Sequence, residues 1–322
     1  MKAIRIHETG GPEVLKYENV DLPSPPSGQV RVKHTAIGVN FIDTYHRSGL
    51  YKVPLPAIMG SEAAGVVEKL GDGVTALKPG DRVAYAMTPG AYAEENNVPA
   101  DRLVKIPAGV SDETAAAVLL KGMTAQYLLK RTYEVKSGET VLVHAAAGAT
   151  GSLLAQWAKH LGATVIGTVG SEDKMDQAKE NGCAHVLCLA GDDWVKRLRD
   201  ITGGKGVPVV YDGIGKATWD GSLDCLALRG LMVSFGNASG GVPPFAPAVL
   251  SAKGSLYLTR PTLATYTHTP QELQETAEDL FAVVASGAVK IQINQRFKLA
   301  DAAKAHEALQ SRKTVGATIL TP

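Results

Sequence analysis

Cysteine is scarce in this 322-residue chain: Cys183, Cys188 and Cys225 are the only three. An odd number confined to one region excludes a disulfide framework and fits reduced thiols, so a cytoplasmic setting is expected. Long apolar runs are also missing. The stretch Thr114–Leu120 falls far short of the ~20 residues that cross a bilayer, and the opening MKAIRIHETGG lacks the apolar core of a secretory signal. Neither sign of charge dominates, with 33 Lys and Arg against 32 Asp and Glu and a net charge of +1. A basic stripe interleaved with aromatics is absent too, so a primary role in nucleic-acid or membrane binding is not expected. None of the eight histidines falls in a His-Glu-x-x-His set. The turns Gly203-Gly204-Lys205-Gly206 and Gly213-Ile-Gly215-Lys216 lack the Gly-Lys-Ser/Thr ending of a phosphate-binding P-loop.

What remains is ordinary globular composition, 45% hydrophobic and 20% charged, on a chain longer than the ~100–200 residues of one domain. The first 120 residues read as short strands broken by Gly and Pro. The candidates are Lys2–Ile6, Val30–His34, Ala63–Leu70 and Arg82–Ala86, which suggest a compact, mostly β unit with little helix. Beyond Lys121 the pattern becomes strand and helix in alternation. Thr140–Ala146, Thr164–Val169, His185–Leu189, Val207–Tyr211, Leu231–Phe235 and Ser255–Thr259 read as strands. Helical segments separate the first five of them, among them Glu172–Asn181, Asp192–Ile201 and Trp219–Leu226. That order predicts an α/β fold with a doubly wound parallel sheet. After Pro261 the alternation stops, and Gln271–Ser286, Ile291–Leu299, Ala302–Ser311 and Ala317–Leu320 are expected to pack back onto the first domain. The boundaries predicted are 1–122, 123–262 and 263–322.

The strongest chemical signal is the apolar run ending in Ala145-x-x-Gly148-x-x-Gly151 and opening a helix. Such a turn aims backbone N–H groups and a helix dipole at a diphosphate. Gly148 lets the backbone approach the phosphates and Gly151 lets the helix pack on the strand. The first glycine of the usual pattern is missing, and Ala145 stands there. An acidic residue at the end of the second strand would hold a ribose hydroxyl. Here the strand ends Val169-Gly170-Ser171, so Ser171 and Lys174 are candidates for a 2′-phosphate, which favours NADP(H). The alternative for Lys174 is an exposed helix lysine beside Glu172.

Taken together, Gly10–Leu15, Asn40–Tyr45, Gly60-Ser61-Glu62-Ala-Ala-Gly65, Ala145–Gly151, Val209–Asp212, Ser234–Asn237 and Ser311-Arg312 run the length of the chain. On these motifs the sequence resembles the zinc-independent quinone oxidoreductases, the zeta-crystallin-like group of the medium-chain dehydrogenase/reductase superfamily. The resemblance implies a GroES-like N-terminal domain, a Rossmann domain and a C-terminal return to the first. It implies NADPH held in a cleft between domains, hydride transfer to a quinone, and a homodimer joined through a Rossmann edge strand, for which Ser255–Arg260 is the candidate. A 2-alkenal or enone reductase is the alternative within the enzymes. RNA binding or a structural crystallin role is the alternative outside them.

Zinc alcohol dehydrogenases of the superfamily carry a Cys and a Gly-His-Glu where this chain has Asn40 and Gly60-Ser61-Glu62. Amide and hydroxyl are not usual Zn²⁺ ligands, and the cysteines of a structural zinc lobe are missing between residues 85 and 110, so no metal is expected. Quinones and conjugated enones suit a site without a Lewis acid, because hydrogen-bond donors suffice for a delocalised oxyanion. By resemblance, Asn40, Tyr45, Tyr51 and Arg260 are the catalytic candidates, with an amphipathic loop tyrosine as the alternative for Tyr51. Asp43 is expected as an N-cap or a supporting partner, and His46 as a solvent-facing histidine. Asn40, Lys121, Thr124, Gly148, Ala149, Ser171, Lys174, Asn237, Arg260 and Arg312 are the cofactor-binding candidates. Close relatives place a tyrosine against the adenosine phosphate where this chain has Leu189.

Overall fold

The computed structural model describes residues 1–191, 193–311 and 314–322. The chain divides into two compact units, one of residues 1–123, 267–285 and 291–322, the other of residues 124–266 and 286–290.

The first unit opens with β1 (Lys2–Ile6), β2 (Lys16–Asn19) and the long β3 (Gln29–Val39). Then follow α1 (Phe41–Ser48), β4 (Ala57–Ile58), β5 (Glu62–Leu70), β6 (Arg82–Ala86), β7 (Glu95–Pro99) and β8 (Val104–Lys105). At the start of β3, alternate residues Val30 and Val32 enter the core while Arg31 and Lys33 do not, as the period of two in a half-buried strand requires. The helix α2 (Asp112–Tyr127) ends this part. Composition did not reveal α2. Residues 115–119 and 121–129 are all buried, so the helix has no polar face and leaves no 3.6-residue alternation to read.

The second unit begins with β9 (Thr140–Val143), α3 (Ala149–His160), β10 (Thr164–Val169) and α4 (Met175–Glu180). It continues through β11 (His185–Cys188), α5 (Trp194–Ile201), β12 (Val207–Asp212), α6 (Trp219–Cys225) and β13 (Leu226–Ser234). It closes with α7 (Ala248–Ala252), β14 (Tyr257–Thr259) and α8 (Leu263–Tyr266). The six strands form one parallel sheet in the order β11-β10-β9-β12-β13-β14. Numbered along the unit this is 3-2-1-4-5-6, the doubly wound order of a dinucleotide-binding sheet, with its reversal between β9 and β12. Several sequence-based bounds change: the strands expected over Val30–His34 and Leu231–Phe235 lengthen to Gln29–Val39 and Leu226–Ser234. The strand expected over Thr140–Ala146 stops at Val143, because Ala145 turns into the left-handed region at φ 53°. The helix expected over Glu172–Asn181 starts as a 3-10 turn, Glu172–Lys174, before α4.

The chain returns to the first unit with α9 (Pro270–Ala285), β15 (Ile293–Lys298), α10 (Ala302–Gln310) and β16 (Ala317–Thr321). β16 lies between β15 and β3, completing a seven-stranded sheet in which β7 also pairs with β3. Val30, Val32, Ile37, Val67, Val83, Tyr85 and Leu320 anchor that unit's core, and Leu142, Ile166, Leu187, Val210 and Met232 the other's. All three cysteines are buried and free. Burial pushes Cys183 and Cys225 up to about 12, which leaves them as inert apolar side chains. Among the described residues no helix is long and apolar enough to cross a membrane.

Candidate functional site

The turn between β9 and α3 lies at the carboxyl end of the first strand of the parallel sheet, beside its reversal point. Ala145 turns the chain, and its carbonyl accepts the Gly148 N–H at 2.8 Å. A Cβ on Gly151 would collide with that same carbonyl, so only glycine lets α3 start this close to the strand. The cap residue of α3 is Gly148, whose φ of −80° and ψ of 165° end the strand-like path without any side-chain cap. The first-turn N–H groups of Ala149, Thr150 and Gly151 therefore keep the donor capacity that an anion takes up. The turn fits a diphosphate.

Elsewhere in the second unit, Arg260 follows β14 and donates from Nη1 to the Ser234 carbonyl at 2.7 Å. Asn237 is beside it. In the amide orientation that satisfies both ends, Asn237 Oδ1 accepts from Arg260 Nη2 (3.2 Å) and Nδ2 donates to the Gly236 carbonyl (3.0 Å). Thr124 is buried in α2. Ser171 caps the 3-10 turn after β10 and Lys174 ends it, both half-buried, so Lys174 is not a fully exposed helix lysine. Leu189 is half-buried just past β11. Arg312 lies outside the described residues.

The first unit gathers a different set. Asn40 caps α1 and forms a capping box with Asp43, whose Oδ2 accepts the Asn40 N–H at 2.9 Å. Asp43 is thus the third residue of the helix, not its N-cap. Its carboxylate also accepts Ser61 Oγ (2.8 Å) and Tyr92 Oη (3.0 Å), and burial pushes its pKa up to about 6 despite these donors. Tyr92 in turn contacts His306 Nε2 at 3.0 Å, and His306 Nδ1 accepts from Arg47 Nη1 at 3.0 Å. Because arginine can only donate, Nε2 carries the ring proton. Burial and Arg47 hold this imidazole down to about 3, so it stays neutral.

Next to this network stands Glu62, the first residue of β5 and fully buried. Its Oε2 accepts both Asn40 Nδ2 and Lys121 Nζ, each at 2.9 Å, and its Oε1 accepts the Leu120 N–H at 2.6 Å. Gly38 makes room for it, since a Cβ there would run into the Glu62 carboxylate. The structure thus brings Asn40 and Lys121 onto one carboxylate oxygen. Tyr45 and Tyr51 meet edge to face, with ring centroids 5.3 Å apart, and Tyr51 N donates to the Tyr45 carbonyl at 3.1 Å. His46 is half-buried with its ring 6.2 Å from that of Tyr51, and burial lowers its pKa. The solvent-facing position expected for it is met only in part: the chain folds back at Gly49 in the left-handed region and brings the Tyr51 ring near it.

Comparison with known proteins settles the relationship. Residues 26–108 match the alcohol dehydrogenase GroES-like domain and residues 149–282 the zinc-binding dehydrogenase family. A quinone oxidoreductase of Pseudomonas aeruginosa is 52% identical over 323 residues, covering 100% of this chain and 99% of that protein. A 2-haloacrylate reductase from a Burkholderia species is 46% identical, covering 98% of each. The crystal structure of Escherichia coli quinone oxidoreductase complexed with NADPH superposes with a TM-score of 0.98 at 49% identity, covering 100% of both chains. The chain belongs to the zinc-independent quinone oxidoreductases of the medium-chain dehydrogenase/reductase superfamily.

One of the matched families is described as zinc-binding, so the donor set must be tested against that metal. Asn40, Ser61 and Glu62 do not fit it. Both Glu62 oxygens are filled by donors, one of them an ammonium, and the Ser61 hydroxyl is spent on Asp43. A dication would have to displace Lys121 and would find no thiolate or imidazole in return. Among the described residues no group of three His, Cys, Asp or Glu is arranged to hold a metal.

Several residues that shape these sites were not singled out from sequence. Glu62 and Asp212 lay inside recognised motifs without a role. Asp212, buried at the end of β12, accepts the Ile214 and Gly215 N–H groups on Oδ1 and Thr218 and Ser222 hydroxyls on Oδ2, fixing the turn that follows. Tyr92 and His306 stand 214 residues apart in sequence and only the fold joins them.

Proposed function

We propose that this protein reduces quinones with NADPH by hydride transfer. The observation that carries the reading is the open N-terminus of α3 at the reversal point of the parallel sheet, where a dinucleotide's diphosphate fits. The relative complexed with NADPH adds support over the full length of the chain. Ser171 and Lys174 at the tip of β10, where a carboxylate would select NAD, favour the phosphorylated cofactor; Leu189 provides no hydrogen bond there. Gly148, Ala149, Thr124, Asn237, Arg260, Arg312, Lys121 and Asn40 complete the nucleotide-binding set.

When bound, NADPH supplies the hydride. The chain's own task is to orient the acceptor and to stabilise charge on its oxygen. Tyr45 and Tyr51 offer phenol donors, and Asn40 is held rigid by its two roles, as cap of α1 and as donor to Glu62. The 2-haloacrylate reductase among the relatives favours a second reading, reduction of an activated alkene by the same machinery.

The protein is proposed to act in the cytoplasm as a homodimer. β14 is an outer strand of the sheet, and its Tyr257 and Leu228 of neighbouring β13 are 64% and 78% exposed, an unprotected edge that a second copy would cover. Oxidation of NADPH and of NADH, measured separately with an ortho-quinone and a 2-alkenal in the presence of a chelator, tests the reading. Chelator-resistant NADPH turnover with the quinone is expected. Preference for the alkenal moves the substrate, and no turnover with either acceptor rejects the function.

A further inference from the structure

The Glu62–Lys121 pair invites a more specific assignment, resting on the hydride-transfer reading above. Glu62 is a carboxylate with no exposed surface, and it is satisfied three times over: by a backbone N–H, by the Asn40 amide and by the Lys121 ammonium. Two of those donors are neutral and already stabilise the charge. Lys121 is in the opposite situation. Its side chain is only 5% exposed, and an ammonium carries three N–H bonds. Among the described residues Glu62 Oε2 is the only acceptor within hydrogen-bond distance of it. A cation held out of water with donors to spare is an electrophile in waiting, because a charge-assisted hydrogen bond in a low-dielectric site is about twice as strong as a neutral one.

The location sharpens the point. Asn40 and Lys121 converge on the same oxygen of Glu62, and Asn40 and Ser61-Glu62 are the segments where related enzymes place metal ligands. Among the described residues Lys121 supplies the one full positive charge in contact with Glu62. We infer that Lys121 is a catalytic residue whose ammonium holds the acceptor's oxygen as that oxygen becomes anionic, taking the electrostatic part a metal dication would take. As hydride adds to the acceptor, the carbonyl π electrons move onto oxygen, Lys121 Nζ donates a hydrogen bond to it, and water delivers the second proton of the hydroquinone. No metal and no further reductant enters. The other charged group near Lys121 is Asp43, whose carboxyl feels the ammonium but is engaged by Asn40, Ser61 and Tyr92.

Two other roles must be told apart from this one: neutralising Glu62, and binding the nucleotide. 4-Nitrophenol separates them, since its anion mimics the developing hydroquinone oxyanion and its ionisation is seen by absorbance. It would be titrated into the full-length protein with and without NADP⁺, for wild type, Lys121→Met, Lys121→Arg and the double variant Lys121→Met/Glu62→Gln. NADPH affinity, melting temperature and kcat with a quinone would be measured alongside. Wild type is expected to bind the phenolate at least tenfold tighter than the phenol, lowering the ligand's apparent pKa by about one unit. Lys121→Met loses that preference, Lys121→Arg keeps part of it, and the double variant regains the melting temperature but neither the preference nor kcat, which stays down about 100-fold. Recovery of both in the double variant would reduce Lys121 to a counter-charge and overturn the assignment. So would a loss of NADPH affinity with the phenolate preference intact, or no preference in wild type. Failure of quinone turnover in a wild type that keeps the preference rejects the function and leaves the anion site standing.

Discussion

Two helix N-termini in this molecule do opposite things with the same backbone geometry. At α1 the cap is Asn40 and the third residue is Asp43, which accepts the cap's N–H and two buried hydroxyls besides. At α3 the cap is Gly148, with no side chain to accept anything. Both leave a strand and turn into a helix, and both present several orphan donors. The first end is closed by the chain's own carboxylate, which turns α1 into a rigid mount for Asn40 and Tyr45. The second is left open, and the positive end of the helix dipole is available to an anion from outside. Whether such an end serves structure or binding is decided by one or two side chains.

Removing the closure should have the largest effect. Asp43→Ala leaves the Asn40 N–H and the Ser61 and Tyr92 hydroxyls without their acceptor in a buried place, which should cost about 3–5 kcal/mol of unfolding free energy by denaturant titration. Its pH dependence has an unusual sign. Burial raises Asp43 from 3.8 to about 6, so between those values the folded state binds a proton that the unfolded state releases. The group's contribution is fully present below pH 3.8 and is lost as pH rises through 6. The variant should therefore lose about 1 kcal/mol more at pH 5 than at pH 7. A smaller loss at pH 5 would mean that the three donors, and not burial, govern this carboxyl.

The complementary experiment closes the open end. Gly148→Asp puts a carboxylate where the phosphate is expected. A Cβ there has the Ala145 carbonyl at 3.2 Å as its nearest neighbour, tight but close to tolerable, and the φ of −80° suits any residue. The helix should gain up to ~1 kcal/mol from the new cap. NADPH affinity should fall by tenfold or more, read by fluorescence titration. Unchanged affinity would remove the anion from this helix and break the comparison.

The α3 end was legible in sequence and the α1 network was not, for physical reasons. An apolar run, a glycine turn and a helical pattern are neighbours along the chain, so Gly148 and Gly151 announce themselves. The alternation of strands likewise foretold the parallel sheet. By contrast Glu62, Tyr92 and His306 acquire meaning only through contacts across 22 to 259 residues, which no local pattern encodes. α2 was invisible because burial on all sides erased its periodicity. Lys121 and Asn40 were named by resemblance, yet nothing in the sequence said that they share an oxygen of Glu62.

The missing first glycine offers the smallest and sharpest test. Ala145 occupies the position where the usual motif has glycine, and its backbone holds a conformation that favours glycine. Its φ of 53° lies in the left-handed region, which costs an L-residue roughly 1–2 kcal/mol. Hydrogen bonds hold it there: Gly148 N–H to its carbonyl, and the Ala146 N–H to the Thr168 carbonyl at 2.9 Å. Ala145→Gly removes the strain and adds unfolded-state entropy worth ~0.4–1 kcal/mol against it. The net expectation is a gain of about 0.5 kcal/mol in stability with NADPH affinity within twofold of wild type. If affinity instead falls clearly while stability rises, the strained alanine is what keeps the turn poised for the diphosphate. The open end would then depend on preorganisation as well as on a missing side chain.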